Sequence, residues 1–333
     1  MKNDKHPLLS ICIPTFNRGE ILEQTIRSYL NNKEFDDTVE IIISDNASTD
    51  NTQEICKSFI QENKNIKYYR NKENIRERNF ICVLNYATGE YLKLTNDWIC
   101  ADEKSLRYIK ATIRENIKQR KPIFFTNDYI YTKKKNSIIE CENLDHYVQA
   151  ISTFVTSSNC FGVWKEQWDN IKNKDKYIYT MLPHVDWSYQ IVSQHNGCIL
   201  YDTTILFPIG VNKLGKRSGY NWFQIHLDYY YRIMQPYVEN KYITSQTLKQ
   251  DKLYLLEHFK SELIKIYTLI PKQNWQFDTK RTFKYLWKYY YNIPIFYFYI
   301  LTYPFWGSYF SIKYILRKIL PPSFINKIKK LYK

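Results

Sequence analysis

The segment VEIIISDNASTD, Val39–Asp50, holds the acid best placed to do chemistry. Its apolar run, Val39–Ile43, stops at Ser44-Asp45-Asn46, and a polar loop follows before a helical pattern opens near Thr52. Such a run reads as a parallel strand buried on both faces. Asp45 then stands at its carboxyl end, where open α/β sheets bind their ligands. A carboxylate there accepts hydrogen bonds from a ligand. Two further strand ends carry polar groups. SICIPTFNR, Ser10–Arg18, reads as a strand closing at Pro14 with Thr15, Phe16 and Asn17 at its carboxyl end. TNDW, Thr95–Trp98, sets Asp97 between Asn96 and Trp98.

These residues need a scaffold that brings strand ends together, and the first part of the chain alternates strand and helix signals. Strands are predicted over Leu8–Pro14, Val39–Asp45, Ile66–Arg70, Tyr91–Thr95 and Pro122–Thr126. Helices are predicted over Glu20–Leu30, Thr52–Asn63, Asn79–Ala87 and Asp102–Ile117. Asp50 or Ser48 is the expected N-cap of the second helix, and Gly89 the stop of the third. The rhythm implies an α/β fold with a mostly parallel, Rossmann-like sheet flanked by helices on both faces. From Tyr129 to Val163 the pattern is irregular, and the Lys-rich turn Lys133–Asn136 suggests a hairpin. A helix is expected from near Pro183, and a further strand and edge over Cys198–Pro208. After Gly210 long helices with many aromatics are expected. The division read from this is a catalytic domain over 1–212 and a helical C-terminal region over 213–333.

The chain has 333 residues, enough for one large domain or two with a real core. Its seven Cys are odd in number and scattered without CxxC spacing, which favours reduced thiols over disulfides or zinc. The start, MKNDKHPLLSICIP, has no signal-peptide apolar region, so a cytoplasmic location is expected. Of the net charge of +15, +12 falls from Lys260 onward, where 14 Lys and Arg face only Glu262 and Asp278. A basic excess confined to one end reads as a tail with a partner. Tyr289–Ile312 is uncharged and long enough to span a bilayer. Pro294, Pro304 and Gly307 interrupt it, however, and its Tyr and Trp suit an interface. In SYFSIKYILRKIL, Ile312, Ile315, Leu316 and Ile319 share a helical face, with Lys313, Arg317 and Lys318 towards the other. Pro321 and Pro322 end it, and FINKIKKLYK adds charge. A basic amphipathic helix next to aromatics reads as lying on an anionic membrane surface, on the inner face of the cell membrane. A packed helix with a solvated face is the plainer reading, and no nucleic-acid partner is expected.

From about Leu9 to Asp102 the sequence resembles a family 2 nucleotide-sugar glycosyltransferase of the GT-A fold, of the bacterial surface-polysaccharide type, with a weaker echo near Asp186. The resemblance implies that Pro14, Thr15, Phe16 and Asn17 border the base and ribose. It implies that Asp45 accepts a hydrogen bond from the imide N–H of uracil or thymine. NIRERNFICVLNYATGEYLKL, Asn74–Leu94, fits the family through Arg78, Asn79, Ala87, Gly89, Glu90 and Tyr91. It would bring Arg78 towards the diphosphate, the alternative being a solvated arginine. Relatives carry an acidic cluster at TNDW that binds a divalent ion across the sugar diphosphate. Here only Asp97 remains, beside Asn96, so the implied Mg²⁺ or Mn²⁺ rests on one carboxylate. Inverting relatives place a general base in a Glu-Asp-Trp-like string. LPHVDW matches half of it, with Asp186 as base and His184 as competitor.

The implied activity is inverting transfer from a UDP- or dTDP-sugar donor to a glycan or lipid-linked acceptor in capsule or lipopolysaccharide assembly. A non-catalytic or metal-independent scaffold relative is one alternative. A nucleotidyltransferase is the other, and it would want a Gly-rich phosphate loop that Ile11–Gly19 lacks. The loop Gly210–Tyr220 either closes over the diphosphate through Lys216 and Arg217 or is a solvated linker. Trp164, Trp168 and Trp222 are candidates for sugar stacking, with buried packing the commoner fate.

Overall fold

A computed structural model of the chain describes residues 6–127, 137–209, 220–266, 278 and 280–319. Alternation of strand and helix runs through β1 (Leu9–Thr15), α1 (Gly19–Leu30), β2 (Val39–Asp45), α2 (Thr52–Glu62), β3 (Ile66–Arg70), α3 (Arg78–Tyr86) and β4 (Tyr91–Leu94). β5 (Ile99–Cys100), α4 (Glu103–Asn116), β6 (Ile123–Phe125), β7 (Ser137–Cys141), α5 (Leu144–Ile151), β8 (Gly162–Trp164) and α6 (Lys165–Asn170) follow. Then come α7 (Pro183–Gln194), β9 (Cys198–Asp202), β10 (Phe207–Pro208), α8 (Tyr230–Glu239), α9 (Ser245–Ile266), α10 (Thr282–Tyr290) and α11 (Pro294–Ile319).

The main sheet has the order β3-β2-β1-β4-β8. β1 runs parallel to β2 and β4, and β2 parallel to β3, while β8 pairs antiparallel with β4. The mostly parallel sheet expected from the sequence is therefore present, and β2 is buried along all seven residues. The chain winds outward from β1 to β3, then returns to place β4 on the other side of β1. That reversal opens a crevice beyond the carboxyl ends of β1 and β4.

Several expectations need correction. The strand at Ile123–Phe125 exists but belongs to a second sheet, β6-β9-β7. In that sheet β9 lies between β6 and β7. The turn Lys133–Asn136 itself lies outside the described residues. The run Cys198–Pro208 is two strands, β9 and β10, in different sheets. Gly89 lies past the end of α3. Its need for glycine is a close approach: a Cβ there would meet Ser10 Oγ at 2.6 Å and Ser10 N at 2.9 Å. Ser48 caps no helix; its Oγ accepts the Asn17 N–H at 2.8 Å. Asp50 serves two helix starts, accepting from Thr52 N of α2 and Gly19 N of α1.

The chain divides into two compact units. The first holds the described residues up to 209 together with Tyr229–Thr247, so α8 belongs with the sheets. The second holds residues 220–228 and the described residues from Leu248, including α10 and α11. Within it, Pro304 and Gly307 do not interrupt α11, which runs for 26 residues. Proline removes a single N–H from the ladder. Around it the Thr302 hydroxyl donates to the Phe298 carbonyl and the Ser308 hydroxyl to the Pro304 carbonyl. The basic loop with Lys216 and Arg217, and the tail from residue 320, lie outside the described residues, as do the side chains of 313–319.

Gly89→Ala is expected to lower the stability of the protein by about 1–3 kcal/mol, the cost of forcing a methyl into packed backbone. The midpoint of urea unfolding measures it, and an unchanged midpoint would contradict the close approach.

Candidate active site

The crevice holds a cavity of about 400 Å³ lined by Pro14, Thr15, Phe16, Arg18, Asn46, Asn74, Arg76, Glu77, Asn79, Phe80, Asn96 and Asp97. That is in the size range of small-molecule sites. β1 delivers Pro14 and Thr15, the end of β2 delivers Asn46, and the end of β4 delivers Asn96 and Asp97. The start of α3 closes the far wall with Glu77, Asn79 and Phe80.

Asp97 is the most constrained group. It is 3% exposed. Thr15 Oγ1 donates to its Oδ2 at 2.9 Å, and Arg18 Nη1 donates to its Oδ1 at 2.9 Å. Thr25 Oγ1 on α1 donates to its backbone carbonyl at 2.8 Å. Burial pushes its carboxyl above the usual range, and the Arg18 guanidinium and Thr15 hydroxyl oppose that shift. Asn96 beside it receives a matching set: its N–H donates to Asn159 Oδ1 at 2.9 Å, and Ser158 Oγ donates to its Oδ1 at 3.2 Å. Asn159 is itself held from below. The buried Lys93 ammonium donates to the carbonyls of Asn159 and Phe161, and burial lowers Lys93 to about 8.

The opposite wall is an amide network. Asn46 Nδ2 donates to Asn74 Oδ1 and to the Arg76 carbonyl, while its Oδ1 accepts from Ile75 N and Asn71 Nδ2. Asn79 Nδ2 donates to the Ser44 carbonyl and its Oδ1 accepts from the Ser44 hydroxyl. Every side-chain valence of Asn46 is used, which fixes the segment before α3 against the end of β2.

The sequence-predicted residues divide accordingly. Pro14, Thr15, Phe16, Asn96 and Asp97 are brought together on the cavity wall. Asn17 is next to it; at φ 52°, its side chain accepts the Thr49 N–H at 2.7 Å and locks the two loops together. Asp45 is fully buried and does not line the cavity. Its Oδ1 accepts from Ser48 N at 2.9 Å, and its Oδ2 accepts from the Tyr68 hydroxyl at 2.7 Å, with Arg70 Nε 3.4 Å away. Arg78 is exposed and faces Asp175 at 3.4 Å, whereas Arg76 lines the cavity. Arg18, Asn46, Asn74, Arg76, Glu77, Asn79 and Phe80 also line the cavity and were not among the candidates. The available signal was their position just beyond a strand end or before a helix.

Asp186 and His184 sit in the first turn of α7 and do not line the cavity. The Asp186 carboxylate accepts from the Tyr237 hydroxyl at 2.8 Å and from Gln190 Nε2 at 2.7 Å, and burial raises it. His184 lies behind the wall, its ring 6.3 Å from that of Phe80. Its Nε2 bonds the Thr156 carbonyl at 3.0 Å, which makes that nitrogen the protonated one. Burial lowers the ring to about 4, and Nδ1 has no partner among the described residues. Trp164 and Trp168 are fully buried, donating to the Lys121 carbonyl and to Asn85 Oδ1, so neither is free to stack on a sugar. Trp222 packs in the second unit against Phe259 at 4.8 Å. All seven cysteines are free thiols.

Residues 10–165 match the family model described as glycosyl transferase family 2. Over that stretch the chain is similar to the family 2 glycosyl transferases. Over 222 residues it is 31% identical to the abequosyltransferase RfbV of Salmonella typhimurium, covering 58% of this chain and 63% of that protein. Over 96 residues it is 35% identical to the GalNAc(5)-diNAcBac-PP-undecaprenol β-1,3-glucosyltransferase of Campylobacter jejuni, covering 27% of this chain and 29% of that protein. The chain thus spans less than two thirds of either relative. Among solved structures, S. aureus TarS 1–349 in complex with UDP-GlcNAc aligns with a TM-score of 0.57 at 13% identity, over 92% of this chain and 91% of that one. The fold is GT-A, as the sequence resemblance implied.

Family 2 domains of this fold generally draw on a divalent cation, and the donor set here does not fit one well. The described residues hold no group of three His, Cys, Asp or Glu able to bind a metal. Asp97 is the one carboxylate at the end of β4, and both its oxygens are engaged, one by a guanidinium cation. The Mg²⁺ or Mn²⁺ expected at Asp97 has therefore no ready coordination sphere in this arrangement.

His184 gives the protein a measurable pH dependence. Its folded value of about 4 lies below the ordinary 6.5, so the folded state binds fewer protons, and stability is lost as pH falls below 6.5 towards 4. Between pH 7 and pH 5 this group accounts for about 2 kcal/mol. His184→Gln is expected to flatten that part of the slope in urea unfolding; an unchanged slope would mean that the ring is accessible to protons.

Proposed function

We propose that the chain is an inverting glycosyltransferase that moves a sugar from a nucleoside-diphosphate donor, a UDP- or dTDP-sugar, to a glycan or lipid-linked acceptor in capsule or lipopolysaccharide assembly. The observation that carries this reading is the polar cavity at the β1/β4 switch point, inside the segment that matches the family. The relatives named as glycosyltransferases and the UDP-GlcNAc complex of TarS support it.

In this reading the base and ribose lie against Phe16, which is 40% exposed, and the wall of Asn46 and Asn74. Asp45 fixes that wall through Ser48, Tyr68 and Arg70. The diphosphate lies towards Arg18 and Arg76. An acceptor hydroxyl attacks the anomeric carbon, its oxygen forming the new bond as the bond to the diphosphate oxygen breaks. The electron pair leaves with the nucleoside diphosphate, and the hydroxyl proton passes to Asp186. Burial raises the proton affinity of Asp186, which suits a general base, and its helix begins behind the cavity wall at Phe80. Tyr237 and Gln190 orient it. His184 is buried as deeply as Asp186, and its Nε2 is held by the Thr156 carbonyl.

Thermal shift against a panel of nucleotide sugars tests the reading, because a ligand bound only by the folded state raises stability by mass action. A UDP- or dTDP-sugar is expected to stand out, and a flat panel would count against donor binding. With that donor, Asp186→Asn is expected to lower kcat by about 100-fold or more while leaving the donor shift in place. Retained turnover would move the base elsewhere.

We further propose that the second unit docks on an anionic membrane. Phe298, Leu301, Phe305, Tyr309 and Ile312 are 52–77% exposed and recur every three or four residues along α11. On a helix that spacing forms one stripe. Phe283, Trp287 and Tyr291 add a second exposed set on and just after α10. No helix among the described residues is long and apolar enough to cross a membrane, so the stripe suits lying on a surface. The +12 charge of the same region supplies attraction to acidic headgroups. The full chain is expected to sediment with phosphatidylglycerol vesicles and less with phosphatidylcholine. The triple change Phe298→Ser, Leu301→Ser, Phe305→Ser is expected to abolish sedimentation. Unaltered pelleting of the triple variant would remove the proposal.

A further inference from the structure

We infer that Arg18, held by Asp97, supplies the positive charge on which the donor's diphosphate is bound and released, so that this enzyme works without a divalent cation. The inference rests on the glycosyltransferase reading above. Departure of a nucleoside diphosphate builds negative charge on the oxygen that leaves the anomeric carbon, and some cation has to meet it. A metal at the end of β4 would need several oxygen ligands. The residues there are Asn96, Asp97 and Trp98. The Asn96 side-chain oxygen already accepts from Ser158, and each Asp97 oxygen already accepts one hydrogen bond, one of them from a cation.

What stands at the outer oxygen of Asp97 is a guanidinium. Arg18 Nη1 lies 2.9 Å from Asp97 Oδ1, while the Arg18 side chain stays 40% exposed and lines the cavity. Of the five N–H donors of the guanidinium, one is spent on Asp97 among the described residues. The others remain for phosphate oxygens, which arginine meets with paired, charge-assisted bonds. Asp97 is thereby a positioning residue. It is anchored by Thr15 and Thr25, so it holds the guanidinium at the mouth of β1 and β4 at a fixed place. Arg76, on the opposite wall, is a second cation for the same diphosphate. A divalent ion entering at Asp97 would sit beside the Arg18 guanidinium, with like charges within a few ångströms.

Isothermal titration of the full-length protein with UDP, dTDP, GDP and CDP, each in Mn²⁺ and in EDTA, tests this. The nucleotide that binds is expected to do so with the same affinity, within about twofold, in both conditions. Arg18→Gln is expected to weaken that nucleotide by about 30-fold and to leave the affinity for the matching nucleoside, which has no phosphate, unchanged. Equal loss for nucleoside and diphosphate would mean a merely structural Arg18 and would overturn the inference. Arg18→Lys is expected to recover part of the diphosphate affinity. Binding that requires Mn²⁺ would overturn the inference while leaving the glycosyltransferase reading intact. Absence of binding by every diphosphate in both conditions would remove both.

Discussion

A carboxylate taken out of water has to be paired, and at Asp97 that requirement organises the whole site. Thr15, Thr25 and Arg18 all bond to this one residue, and they come from β1, α1 and the loop between them. The end of β4 is thereby tied to the end of β1 across the point where the sheet reverses direction. Without that tie, two neighbouring parallel strands would share only ladder hydrogen bonds, and their loops would be free to diverge. With it, the loops are held level and the crevice between them keeps its shape. The same tie sets a cation at the cavity mouth, so one interaction serves both architecture and chemistry.

Around this centre the walls are rigid for different reasons. On the β2 side the constraint is a closed amide network: Asn46, Asn71, Asn74 and Asn79 satisfy one another and the backbone. Neutral amides cost less to bury than charges, and once fully bonded they admit few rearrangements. On the β4 side the constraint is a buried ammonium. Lys93 lies inside the sheet, and its head gathers the carbonyls of Asn159 and Phe161. Asn159 can then hold Asn96, and so the reach of β4 into the cavity is set by a residue that never touches it.

Much of this was legible in the sequence, and the limits have physical causes. The apolar runs of β1 and β2 and the amphipathic helices between them are local signals, and those elements appeared within a residue or two of expectation. The strands β5, β7 and β8 do not stand in an apolar run bounded by turn signals, unlike the equally short β3, β4 and β6, and were not expected. Gly89 was read as a helix stop, whereas its constraint is Ser10, seventy-nine positions away. Asp45 ends its strand as the sequence implies, and it does not line the cavity. Position at a strand end does not say which way a side chain turns, and Tyr68 and Arg70 on the neighbouring β3 turn it inward.

The sequence by itself determined the α/β class, the parallel core and the strand ends at which Thr15, Asn96 and Asp97 would converge. Those follow from hydrophobic periodicity and from the rule that ligands gather at carboxyl ends of parallel strands, and both are readable along the chain. Only the tertiary structure decided which polar groups are free and which are spent. Asp97 and Arg18 are seventy-nine residues apart, and nothing local announces that the lone carboxylate of TNDW already has a cation. Hydrogen-bond valence is settled between elements, after folding has chosen neighbours, and for that reason the chemistry of this site could be located from its residues but assigned only from their contacts.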